Sequence, residues 1–203
     1  MLGMAFFKSL AKQHGVTYFE PIGKAIPRAG LKKFNPMNPL HGFALRNELV
    51  PYAFWWMGKQ LEGVDSHEIP GMSLELKAHV DFALEFLSDT PLELSQAMVK
   101  HQLKLADRQC RIAEMSQRAQ DAIIILVTAL WAHNEKNAVV EAAADILCQD
   151  LRCKLTGERP SDSYFKAASK LADQIIDGKF PGLSEVAVQD ILFKYDKPVK
   201  EKA

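Results

Sequence analysis

Six histidines, three cysteines and scattered carboxylates are the groups in this chain that could do chemistry, and no motif gathers them. His14, His41, His67, His79, His101 and His133 show no spacing of the HExxH kind, so no pair is set to share a metal. Each is expected at the surface or at a helix end, and none implies a charge switch. Glu75 with Asp81, and Asp145 with Asp150, have no spacing that demands paired acid–base work and are expected on solvated faces. The sequence holds no Gly-rich phosphate loop, no nucleophile elbow and no CxxC. Cys148 and Cys153 lie five apart in an expected helix, which sets their α-carbons roughly 8–9 Å apart, beyond the reach of a disulfide. Cys110 falls on an apolar stripe and reads as a small core residue rather than a reactive thiol. Free thiols point to a reducing compartment, the cytoplasm. No catalytic, cofactor-binding or metal-binding residue is assigned.

The elements that would position any site are helices. Between Pro91 and Gly157 the chain runs 65 residues without Gly or Pro, rich in Ala, Leu, Gln, Lys, Arg and Glu. Strands need turns more often than that, and these residues favour helix. The fold class is therefore all-α: a bundle of about six to seven helices with a long irregular N-terminal loop. Hydrophobic residues make up 48% of the 203-residue chain, enough for a core, and 25 basic residues balance 25 acidic ones. That balance argues against a nucleic-acid partner. The longest strongly apolar run, Ala122 to Ala132, is too short to span a bilayer. The N-terminal residues do not read as a signal peptide.

Three parts are expected: residues 1–63 with an N-terminal helix, a loop from Gly15 to Asn38 and an aromatic-rich helical segment; a bundle over 64–195; and a flexible tail at 196–203. Leu40 to Leu61 reads as helix with a kink or break at Pro51. Leu74 to Leu87 repeats apolar residues at helical spacing. Asp89-Thr90-Pro91 reads as a stop followed by a new helix start. From there one bent helix is expected on the stripe Val99, Leu103, Ala106, Cys110, Ala113, Gln117, Gln120, Ile124, Val127, Trp131. A rod of that length would reach roughly 50 Å, so the chain must turn, most naturally at His133 to Asn137. The all-round apolarity of Ile123 to Val127 places that turn of helix, Leu126 included, in the bundle centre. Ala138 to Leu155 follows on Val140, Ala143, Leu147 and Leu151, with Gly157 as C-cap. A helix capped by Ser161 or Ser163 buries Phe165, Ala168, Leu171, Ala172 and Ile175. A last short helix is expected at Ser184 to Phe193.

Tyr52, Phe54, Trp55, Trp56 and Met57 crowd five large residues into six positions. On a helix they point all round, so one face cannot bury them all. Packing within the bundle, a dimer or domain contact, and insertion at a membrane surface each account for them. Arg46 and Lys59 are few for attraction to anionic lipid. With Phe43, these five are the candidate interface.

The order of segments from Phe6 to about Leu192 resembles the C-terminal part of very-long-chain acyl-CoA dehydrogenases. FFKSLAKQHGVTYFEPIGKAI followed by LKKFNPMNPLHGFAL is similar to that family's helix end, Gly-containing linker and Asn-Pro turn. AMVKHQLKLADRQCRIAEMSQRAQDAIIILVTALWAHNE is similar to its long helical pair, and EAAADILCQDLRC to its Ala-rich helix. The resemblance implies an accessory helical domain serving fatty-acid β-oxidation, without the flavin-binding and catalytic core, which the family carries upstream. No family catalytic residue maps onto this sequence. The full-length family uses FAD; none is expected on this chain. The implied partners are a second copy or the upstream dehydrogenase domains, with peripheral contact at the inner face of a membrane. Pro36 to Gly63 matches the family's membrane-contacting segment. A free-standing adaptor that binds a partner protein through Tyr52 to Met57 is the alternative.

Overall fold

The Gly- and Pro-free stretch does not fold as one rod. Arg118 Nη1 lies 2.9 Å from Glu93 Oε1, whereas 25 residues of continuous helix would set them about 37 Å apart. The chain reverses between two long antiparallel helices. The computed structural model describes residues 2–35, 37–64, 68–101 and 109–183, and all regular structure among them is helical. The order is α1 (Leu2–His14), a π-helical turn (Gly15–Phe19), α2 (Glu20–Arg28), α3 (Pro39–Ala44), α4 (Arg46–Leu61), α5 (Leu74–His101), α6 (Gln109–Glu135), α7 (Ala138–Thr156) and α8 (Asp162–Ile176). The all-α bundle is as the sequence indicates. Leu103, Ala106, His67 and the segments expected at Ser184 to Phe193 and 196–203 lie outside the described residues.

Several boundaries follow the expected chemistry. Asn137 caps α7 by accepting from the Val139 and Val140 amides. Gly157 closes that helix at φ 78°, and its N–H bonds the Cys153 carbonyl. Ser161 caps α8 through the Tyr164 amide. The α6–α7 turn falls at Lys136 and Asn137, inside the expected window, with Lys136 at φ 50°.

Three prolines overturn expectations. The loop expected from Gly15 to Asn38 is helical as far as Arg28. Pro21 sits in the first turn of α2, where a missing N–H costs nothing. Gly15 lets the π turn lie against α5, since a Cβ there would meet Met98 Cε at 3.1 Å. Pro51 lies inside α4 without ending it; the break comes earlier, at Leu45, which is wholly buried. Asp89-Thr90-Pro91 is not a stop. The α5 helix runs through it, and Thr90 Oγ1 donates to the Phe86 carbonyl of the preceding turn.

The core of α5, α6 and α7 gathers Leu76, Val80, Ile125, Ala129, Val140 and Cys148. A second cluster joins Phe7 of α1 to Leu94, Ala97, Ile112 and Met115. Residues 1–63 therefore share a core with the bundle that follows them.

The expected stripe on α6 has the wrong face inward. Ile124, Val127 and Trp131 are 44%, 57% and 49% exposed, as Val99 is on α5, and Cys110 is exposed too. Ile112, Met115, Ala122, Ile125, Ala129 and Ala132 are buried instead. Both sets recur every three or four residues, so period alone could not choose between them. The Ala-rich face wins because small side chains let α5 and α7 approach closely. The turn of helix at Ile123 to Val127 is consequently not central, and Leu126 is only half-buried. Leu147 on α7, and Phe165, Ala172 and Ile175 on α8, are likewise exposed where burial was expected.

Candidate functional site

The candidate interface is divided by the geometry of α4. Residues 52, 55 and 56 turn toward the rest of the chain and are half-buried, while Phe54 and Met57 turn outward. Trp55 stacks on Tyr52 at 5.9 Å between ring centroids and packs 4.6 Å from His14 and 5.2 Å from Tyr18. Phe19 closes the group 5.4 Å from Tyr52. The π turn makes this possible. Its i→i+5 bonding puts more than four residues in each turn, so Tyr18 and Phe19 flank the His14 direction instead of diverging from it. Beneath the rings, the Tyr52 hydroxyl and the fully buried Ser95 hydroxyl are hydrogen-bonded at 2.8 Å. His14 Nε2 is buried with no hydrogen-bond partner, and desolvation lowers the His14 pKa from its ordinary value.

The outward side of α4 is a ridge. Val50, Phe54, Met57 and Leu61 recur every three or four residues and are 46%, 67%, 46% and 85% exposed. Phe43 on α3, 67% exposed, adds to it, and Arg46 lays its guanidinium 4.3 Å over that ring. Beside the ridge, Tyr52, Ala53, Trp56, Met57, Val99 and Lys100 border an open groove of about 610 Å³ between α4 and α5. Its walls are mostly apolar, and Gln96 and Lys100 are its polar lining residues.

Charge is distributed unevenly along the chain. Residues 1–63 hold eight Lys or Arg against three Asp or Glu, a net +5, which the rest of the chain cancels. Lys8, Lys12, Lys24, Arg28, Lys32, Lys33 and Arg46 are all exposed. Lys59 is taken up by Glu62. Counting only Arg46 and Lys59 therefore understates the basic character of this region. The overall balance of 25 against 25 concealed it.

The histidine and carboxylate readings need two corrections. His79 is not at the surface; it is 3% exposed between α5 and α7. Its Nε2 meets Asp145 Oδ1 at 2.8 Å, and its Nδ1 lies 3.3 Å from Arg152 Nη1. Arginine only donates, so Nδ1 accepts and Nε2 donates to Asp145. Asp145, expected on a solvated face, also accepts from Gln149, and the His79 hydrogen bond holds its carboxyl below the usual range. The Arg152 guanidinium covers the Phe82 ring at 4.6 Å. Both nitrogens of His79 are engaged, so the trio fastens α5 to α7. The signal was present in Asp145, Gln149 and Arg152, a polar row at i, i+4 and i+7 beside a core cysteine. Burial pushes that cysteine, Cys148, up to about 12, which makes it a poor nucleophile. His41 does sit at a helix end, where it accepts the Asn35 amide.

No protein-family model matches the chain, and no curated protein or solved structure matches it significantly.

Proposed function

We propose that this chain is a docking module: the accessory helical domain of an acyl-CoA dehydrogenase-like protein, serving fatty-acid β-oxidation by holding its protein against an anionic membrane surface. The observation that carries the docking is the outward ridge of α4, set in a third of the chain with net charge +5. Apolar residues on an interfacial helix sink into the headgroup boundary, and surrounding Lys and Arg are drawn to anionic lipid. Burying Phe54 alone is worth about 1.5–3 kcal/mol, and each basic residue near the surface adds about 1 kcal/mol at low salt. Among the described residues no helix is long and apolar enough to cross a membrane, so the contact is peripheral. The link to acyl-CoA dehydrogenases rests on the sequence resemblance, and so does FAD as the cofactor of the full-length protein.

The test is co-sedimentation with vesicles of neutral phosphatidylcholine, with and without anionic phosphatidylglycerol. Binding is expected only with the anionic lipid, and salt should weaken it. Phe54→Asp should lower it tenfold or more. Equal binding to both lipids, or none to either, would end this reading.

A second reading is a protein adaptor working through Tyr52 to Met57, and the groove beside Trp56 and Met57 favours it. Vesicle binding that is unaffected by Phe54→Asp would move the weight there.

A further inference from the structure

The α6 helix carries two apolar seams on opposite faces, and among the described residues only one joins a buried cluster. The inner seam runs Ile112, Met115, Ala119, Ala122, Ile125, Ala129, Ala132 and packs against α1, α5 and α7. The outer seam runs Gln117, Gln120, Ile124, Val127, Trp131, Asn134, with steps of three, four, three, four and three. A period of 3.5 residues is the pattern of a helix that expects another helix lengthwise beside it. On the outer seam Ile124, Val127 and Trp131 are 44%, 57% and 49% exposed, and Ile123 at its flank is 43% exposed.

We infer that the outer seam of α6 binds the same seam of a second copy of this chain, antiparallel, about a two-fold axis passing between Ile124 and Val127. One observation selects a second copy and another sets the strength of the contact. The first is self-complementarity. About that axis Ile124 meets Val127 of the other copy, and the symmetry makes the pair twice. Trp131 then meets Gln120 on both sides, and Gln117 meets Asn134 at both ends. The result is an apolar centre with polar edges, which is how protein interfaces are built. The Gln120 amide nitrogen already donates to the Ser116 carbonyl and hydroxyl, which leaves its carbonyl oxygen to accept the indole N–H. The two glutamines that interrupt the seam are thereby matched. Sliding the pairing by one heptad in one direction sets Ile124 against Gln120 and Val127 against Gln117; in the other it sets Val127 against Trp131 but strands Ile124 against Asn134 and leaves Gln120 outside the seam. A parallel pair would stack the two indoles at one end and the glutamines at the other.

The second observation is area. The four exposed apolar residues uncover on the order of 400 Å², about half of what each partner buries in a standard stable complex. A seam so small suits a symmetric contact that forms only at high local concentration. Two copies gathered on one surface meet that condition. The contact does not depend on the membrane reading, since α6 and α4 present separate residues.

Analytical ultracentrifugation of the whole chain, without lipid, tests the pairing. Mass should rise from one copy toward two across the micromolar to sub-millimolar range. Val127→Glu should keep the circular dichroism spectrum and stay monomeric throughout. Phe54→Asp should leave the association unchanged. The register has its own test. Trp131→Lys should weaken association at least tenfold, and adding Gln120→Glu should recover most of the loss, because the two positions face each other only in this pairing. Wild-type mass that stays at one copy throughout overturns the inference, as does association lost with Phe54→Asp but kept with Val127→Glu. Failure of the charge pair to rescue overturns the register. Vesicle binding is read separately, so loss of one reading does not mimic loss of the other.

Discussion

The two layers of this molecule are held together by different means. In the α5–α6–α7 core the buried residues are small or aliphatic, with Ala83, Ala129, Ala132 and Ala144 letting the helix axes approach. The layer of the π turn and α4 relies on rings: His14, Tyr18, Phe19, Tyr52 and Trp55, none fully enclosed. Backbones that pack on alanine are fixed by shape and tolerate little change. Side chains that pack ring on ring across a gap keep part of their surface in water and can rearrange. The inner layer is thus a frame, and the outer layer is the part that can rearrange.

The sharpest way to break that comparison is to truncate each layer once. Leu76 is 1% exposed in the inner core, so Leu76→Ala should cost about 2–5 kcal/mol in urea unfolding. Trp55→Ala removes a larger side chain from the outer layer, yet should cost only roughly 2 kcal/mol, because its ring is not fully enclosed to begin with. If Trp55→Ala proved the more damaging, the frame would lie in the rings.

Acid separates the layers by a smaller, graded effect. Burial lowers the His14 pKa from 6.5, so the fold favours the neutral ring and the unfolded chain takes the proton first. The His14 contribution is whole above pH 6.5 and declines as pH falls below it. Asp145 is lowered from 3.8, so its contribution is whole above pH 3.8 and is lost only as pH falls further. In a Trp56→Phe, Trp131→Phe background, where Trp55 is the one emitter left, tryptophan fluorescence should therefore change at a higher pH than helicity does. The reverse order would contradict the comparison. The smallest effect is expected at the ridge itself. Phe54→Asp should change stability by less than about 0.5 kcal/mol, since the residue packs on little.

Local chemistry was legible wherever one residue decides. Gly157 and Ser161 were readable as caps because glycine takes the left-handed φ of 78° without strain and a serine hydroxyl accepts an otherwise unpaired amide at a helix start. The candidate site was legible as a crowd of aromatic residues, but not in how α4 would divide them. That division depends on a π turn some 35 residues earlier, which no local pattern in GVTYF announces. Pro91 misled for the opposite reason. A helix that packs along its whole length can absorb one missing amide, and the sequence does not say how much packing there will be. The inward face of α6 was illegible in principle: two seams of equal period compete, and only the neighbours choose.

The five-residue coil at Gly15–Phe19 acts as a spacer whose length is counted in single residues. Deleting any one of them would let ordinary helix run through and swing everything beyond by about 100°. Phe7 would stay anchored while Tyr18 and Phe19 pointed away from Trp55. Val16 and Thr17 face solvent and can be exchanged, but a change in the number of residues in that turn would have to be compensated before α4.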